Sequence, residues 1–215
     1  DALGNIKRQN MLRRRVAWSQ RVCGLMLTIA LATTATADTL SEAIAADYAT
    51  TLEDLFIHFH QNPELSHLEF ETAKRLAIEL RSLGYDVTEG IGGTGIVAVL
   101  ANGNGPTVML RADMDGLPVV EKSGLPYAST ARQTDITGEE QPVMHACGHD
   151  VHITALVGAA RQLAARTDQW SGTLVLIGQP AEERVSGARA MLEDGLYERC
   201  PKPDYAMAFH VAANH

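Results

Sequence analysis

Three short apolar runs in this sequence each break off into side chains that carry chemistry. "TVMLRA" (107–112) runs into Asp113 and Asp115, "TLVLIGQPA" (173–181) into Glu182 and Glu183, and "YAMAF" (205–209) into His210. Runs of this length with little polar alternation are expected of strands buried on both faces, as in parallel sheets covered by helices. In open sheets of that kind ligands bind beyond the carboxyl ends of the strands. A fourth segment, "MHACGHD" (144–150), brings Cys147 and His149 just ahead of the helical pattern that precedes "TLVLIGQP". One reactive residue after a strand means little, but several converging on one edge predict a site.

The rest of the pattern supports an α/β class. Residues 41–61 space Ile44, Tyr48, Leu52, Leu55, Phe56 and Phe59 as a helix does, and the pattern stops at Asn62-Pro63. A second helix is predicted from Ser66 and Glu69, which have capping-box spacing, to Gly84 as its C′ glycine. "YDVTE", "GIVAVL" and "TVMLRA" follow as strands, punctuated by "GIGGTG" and "ANGNGP". Residues 119–143 read as a loop. A helix near Asp150, the strand "TLVLIGQP", a helix through "GARAMLEDG" and a last strand "YAMAFH" complete the order. The best class is α/β, with helices covering a mostly parallel sheet.

Thiolate, imidazole and carboxylate donors together suit zinc or a related divalent ion. Two metals need one anionic bridge, which Cys147 or a carboxylate can supply, and separate ligands, for which His149, Glu183 and His210 are candidates. Of the adjacent pair Glu182-Glu183, one side chain can bind metal while the other takes a proton. Each residue also has an ordinary reading. His210 can be a packed residue, Glu182-Glu183 a solvated helix start, Asp150 an N-cap, and Asp113 and Asp115 turn formers before Gly116. His58, His60, His67, His145 and His152 read as surface or packing residues. A Cys147 nucleophile with a nearby base is a rival chemistry, although Cys and His two apart in one loop align poorly as a dyad.

Composition narrows the class. Arg13, Arg14 and Arg15 precede the apolar "VCGLMLTIALATTA", and Ala35 and Ala37 precede Asp38, the layout of an export signal cleaved near Ala37/Asp38. A bacterial periplasmic location is the expectation. Without residues 1–37 the chain keeps 12 of its 18 basic and 25 of its 26 acidic residues, a formal charge of −13. Such a surface argues against nucleic acid and anionic membranes as partners. Cys147 and Cys200 remain, and by count alone a disulfide between them is an alternative to two thiols.

The segments "HQNPELSHLEFETAKRLAIELRSLGYDV", "GGTGIVAVL", "MLRADMDGLPV", "MHACGHDVHITALVGAAR", "GQPAEERVSGARAMLEDGL" and "AFHVAANH" resemble, in order, the amidohydrolase branch of the dinuclear-metal aminoacylase/carboxypeptidase family. That branch includes hippurate hydrolases, N-acyl-amino-acid amidohydrolases and auxin-conjugate hydrolases. The resemblance implies a three-layer, zinc-exopeptidase-like catalytic domain over residues 38–215. It implies metal-dependent hydrolysis of the amide bond of N-acyl amino acids or small peptides, with two divalent ions of zinc, manganese, cobalt or nickel as cofactors. Carried over, Cys147, His149, Glu183 and His210 look like metal ligands with Cys147 as the bridge. Glu182 looks like the general base, and Asp115 like a residue that orients the site. Family members also insert a smaller dimerisation domain and then return with a last histidine ligand. Neither is found here, and His215 does not fit as the replacement, so the expectation is the N-terminal part of the catalytic domain, with a homodimer only in the longer form. The alternative is a remnant that binds metal or ligand without turnover.

Overall fold

In the computed structural model the chain is described over residues 39–212. The segment expected to be an export signal and His215 lie outside the described residues. Residues 39–46 are helical. From Tyr48 a π-helical turn, Tyr48–Leu52, leads into helix α1 (Glu53–Gln61), followed by α2 (Phe70–Ser82). Strands β1 (Asp86–Ile91), β2 (Gly95–Asn102) and β3 (Thr107–Asp113) come next. A small hairpin of β4 (Arg132–Thr134) and β5 (Glu140–Pro142) precedes α3 (His149–Ala164) and β6 (Gly172–Gln179). Helices α4 (Gly187–Glu193) and α5 (Leu196–Arg199) and strand β7 (Tyr205–Ala208) complete the order. Among the described residues no helix is long and apolar enough to cross a membrane.

The main sheet has the order β1-β2-β6-β3-β7. β2 is antiparallel to both β1 and β6, while β3 is parallel to β6 and β7. Only β2 runs against the other four, so the sheet is mixed and mostly parallel, as expected. The central strand β6 shows why its sequence reads as unbroken apolar. Leu174 and Leu176 face one core with Phe59, Leu76, Leu80 and Ile153 from the first three helices. Val175 and Ile177 face a second core with Met109, Met191, Leu196 and Cys200 beneath α4 and α5. Helix, sheet and helix therefore form three layers. Burying each large aliphatic side chain of β6 contributes about 1.5–3 kcal/mol.

Several local expectations are corrected. Ser66 and Glu69 do not form a capping box on α2, because Glu69 supplies no side-chain cap there. The Glu64 carboxylate takes that place by accepting from the backbone N–H groups of Glu71 and Thr72, at 3.2 and 2.7 Å. Gly84 does close the helix as predicted. It has φ +89°, and the N–H groups of Gly84 and Tyr85 return to Arg81 and Leu80, the Schellman pattern. Asp150 is not the N-cap of α3; Gly148 is, with φ +79°. A Cβ on Gly148 would lie 2.3 Å from Val211 Cγ2, so both conformation and space require glycine there. The 119–143 segment is not all loop, since β4 and β5 pair antiparallel within it. Their three-residue polar strands are too short to show a period.

Candidate metal centre

Strand direction assembles the site. β3, β6 and β7 deliver their carboxyl ends to one edge, with Asp113 paired to Gln179 and Arg111 to Ala208. Continuing the second register by two residues sets His210 level with Asp113. α3 begins at this edge, so His149 and His152, three apart, lie on neighbouring positions of its first turn.

His149 is at the centre. It is fully buried, and neither ring nitrogen makes a hydrogen bond. Its Nδ1 lies 3.4 Å from Asp115 Oδ1. Its Nε2 lies 3.6 Å from Asp113 Oδ2, 3.8 Å from Glu182 Oε2 and 3.9 Å from Glu183 Oε1. Cys147 Sγ is 3.3 Å from His210 Nε2. The donor atoms of Cys147, His149 and His210 all lie within 4.8 Å of one another, and so do those of His149, Glu182 and Glu183. The structure thus brings together all six residues singled out in the sequence, since Asp115 borders the same imidazole.

Asp115 is the most fully bonded of them. Its carboxylate accepts from the backbone N–H groups of Glu182 and Glu183, both at 3.0 Å, and from Ser66 Oγ at 2.6 Å. Burial works against its ionisation, but His149 and these donors outweigh it and lower its pKa. Asp113 behaves likewise. Burial opposes its charge, yet the hydrogen bond from His152, with His149 and Arg111 nearby, holds it at about 2. Arg111 Nη1 lies 2.8 Å from Asp113 Oδ2.

Two contributors were not singled out as site residues: Asp113, read as a possible turn former, and His152, read as surface or packing. His152 is buried, with Nδ1 2.6 Å from Asp113 Oδ1, and its Nε2 accepts the backbone N–H of Val211 at 3.0 Å. A backbone N–H can only donate, so Nε2 is the acceptor and Nδ1 carries the proton toward Asp113. Both nitrogens are engaged, which makes His152 a tether for the His210 segment rather than a ligand. The available signal was the i,i+2 pair Asp113/Asp115 beside the i,i+3 pair His149/His152. His60, also read as surface or packing, is buried between Asp150 Oδ2 at 2.6 Å and Glu121 Oε1 at 3.1 Å.

The donor set fits a divalent cation. Four carboxylates surround one imidazole whose buried nitrogens have no hydrogen-bond partner, and Glu183 Oε1 is also without one. Burial and the charges of Glu183, Glu182 and Asp113 push the Cys147 thiol up to about 11. Burial likewise raises Glu183. Crowded anions of this kind call for positive charge, and soft and hard donors together suit a transition metal or zinc. Cys147 and Cys200 are both free, with Cys200 in the second core, so no disulfide joins them.

Residues 109–215 match the family model for peptidase family M20/M25/M40. Hippurate hydrolase of Campylobacter jejuni is 45% identical over 165 residues, which is 76% of this chain and 40% of that protein. N-acetyl-L-cysteine deacetylase of Bacillus subtilis is 42% identical over 162 residues, 73% of this chain and 37% of the relative. The chain therefore spans well under half the length of these relatives. Among solved structures, the Bacillus subtilis YXEP protein, described as a dinuclear metal binding peptidase, superposes with a TM-score of 0.67 at 33% identity, covering 77% of this chain and 43% of that one. Fold, site and likeness agree: over residues 109–215 the chain carries a domain of peptidase family M20/M25/M40.

Proposed function

We propose that this chain supplies the metal-binding and proton-transfer residues of an amidohydrolase that cleaves the amide bond of N-acyl amino acids or small peptides. The observation that carries the reading is His149, a fully buried imidazole without hydrogen bonds, ringed by the donors of Cys147, His210, Glu182 and Glu183. The relatives named for hippurate and N-acetyl-L-cysteine point to the same substrate class. Cys147, His149, Glu183 and His210 hold two divalent ions, with zinc, manganese, cobalt and nickel all compatible with these donors. When bound, such ions polarise a carbonyl and lower the pKa of water.

The remaining work falls to the chain itself. Asp115 orients His149 from its Nδ1 side and leaves Nε2 facing the acidic pair. The Glu182 side chain is 38% exposed and that of Glu183 18%. The more open Glu182 is the general base. It takes a proton from the attacking water at its carboxylate and returns it to the leaving amine. Glu183, the more enclosed, remains a ligand. The export-signal pattern read at residues 13–37 supports a location outside the cytoplasm for this chemistry.

The test is hydrolysis of hippurate and related N-acyl amino acids by the full chain after loading with zinc, manganese, cobalt or nickel. Glu182→Gln is expected to lower kcat by about 10²-fold or more while metal content by elemental analysis stays unchanged. No hydrolysis with any of the four metals, or a Glu182→Gln variant as active as wild type, sinks the reading.

A further inference from the structure

The pattern Ser66-His67-Leu68-Glu69, which predicted a capping box, is not used to cap α2. We propose that Ser66, His67 and Glu69 instead form a clamp of positioning residues that holds the turn carrying Glu182 and Glu183 in a strained conformation. The inference rests on the metal-site reading of that turn.

The strain is local to the turn. Ala181 has φ +45° and Val185 has φ +53°, both in the left-handed region that non-glycine residues rarely adopt. Val185 is β-branched and 91% exposed, so its own side chain has little packing to hold it there. Within the turn, the Val185 N–H returns to Glu182 O, and those of Ser186 and Gly187 return to Ala181 O. A Cβ on Gly187 would lie 1.6 Å from Pro180 O, which shows how tightly the turn doubles back.

Each clamp residue meets this turn at a different point. Glu69 Oε1 accepts the Ala181 N–H at 2.7 Å, directly before the acidic pair. Its other oxygen accepts from Thr94 Oγ1 at 2.5 Å, so both carboxylate oxygens are fixed. His67, itself at φ +69°, places Nε2 2.9 Å from Ser186 Oγ beyond the pair. Ser66 acts through Asp115, donating to the same carboxylate that holds the N–H groups of Glu182 and Glu183. Glu69 is fully buried and forms no ion pair among the described residues, an arrangement that costs stability; burial raises its pKa despite the bonds from Thr94 and Ala181. A carboxyl retained under those conditions makes sense if its task is to hold the backbone of Ala181.

The test has two readouts on the full chain: amide hydrogen exchange at residues 181–183 without metal, and zinc affinity by chelator competition. Glu69→Ala is expected to speed exchange at Ala181 and Glu182 and to weaken zinc binding about 10–100-fold, the range for groups that orient ligands. Glu69→Gln keeps an acceptor for the Ala181 N–H and is expected to stay near wild type in both. If Glu69→Ala does not fold, the pair Ser66→Ala and His67→Ala carries the test, with faster exchange at 182–186 and weaker zinc binding expected. Wild-type exchange in a folded clamp variant overturns the proposal. Faster exchange with unchanged zinc affinity also overturns it, because the clamp would then be structural only. A wild-type chain that binds no zinc, manganese, cobalt or nickel defeats the metal reading instead, and exchange alone then judges the clamp.

Discussion

The inner and outer walls of the site are built differently. On the inner wall, Asp113, Asp115, His149 and His152 are at most 1% exposed and come from the end of β3, the residues just after it and the first turn of α3. Their carboxylates are held by the Arg111 ion pair, a serine, a histidine and two backbone N–H groups. On the outer wall, His210 is exposed, Cys147 is partly exposed and Glu182 faces solvent. β7, which leads to His210, is exposed at every residue. Orientation is thus fixed from within the core, while the groups that meet solvent sit on short loops. In the proposed reaction, the parts that aim are buried and bonded, and the parts that exchange protons or ligands are open.

Breaking the inner wall is expected to have the largest effect on folding. Asp115→Ala removes three hydrogen bonds and leaves the Ser66 hydroxyl and two backbone N–H groups unpaired. A loss of about 3 kcal/mol or more is expected by urea denaturation of the metal-free chain. His210→Ala sharpens the contrast from the other side. The metal-free stability should change by less than about 0.5 kcal/mol, as for exposed positions. Zinc affinity should fall more than about tenfold, a loss that even outer groups produce. A His210→Ala variant as destabilised as Asp115→Ala would erase the distinction between the walls.

The smallest expected effect concerns pH. His60 on α1 donates to Asp150, beside His149, and to Glu121 in the loop after β3. Burial lowers the pKa of this imidazole, but the two carboxylates prevail and raise it above the ordinary 6.5. A raised folded pKa stabilises in full below the unfolded value, and that contribution is lost as pH climbs through the folded one. The stability difference between wild type and His60→Gln should therefore be larger at pH 5.5 than at pH 8.5. An equal difference at both would mean that His60 acts through packing alone.

The layers were legible because β6 alternates its neighbours across two cores, and that burial writes itself as an unbroken apolar run. The outer candidate ligands were legible for a related reason, since each follows such a run or sits before a helix. What stayed hidden depends on partners far along the chain. Glu69 meets Ala181 across 112 positions, and His152 meets Asp113 across 39. Ser66 and Glu69 have the spacing of a helix cap, and spacing alone cannot say whether a carboxylate turns toward its own helix or across the core. Glu64, the residue that does cap α2, carries no such signature because it reaches from outside the motif.

The position of β6 in the sheet bears on synthesis as well as on the site. It lies between β2 and β3, yet it is made roughly 60 residues after β3 ends. Both sheet neighbours of β3 come later in the chain, so when β3 leaves the ribosome it has no strand to pair with. At about 5–20 residues per second the wait for β6 is roughly 3–12 s. For that interval an apolar strand ending in the Asp113 carboxylate is open to wrong partners, and a cell making this protein has reason to keep a chaperone on it.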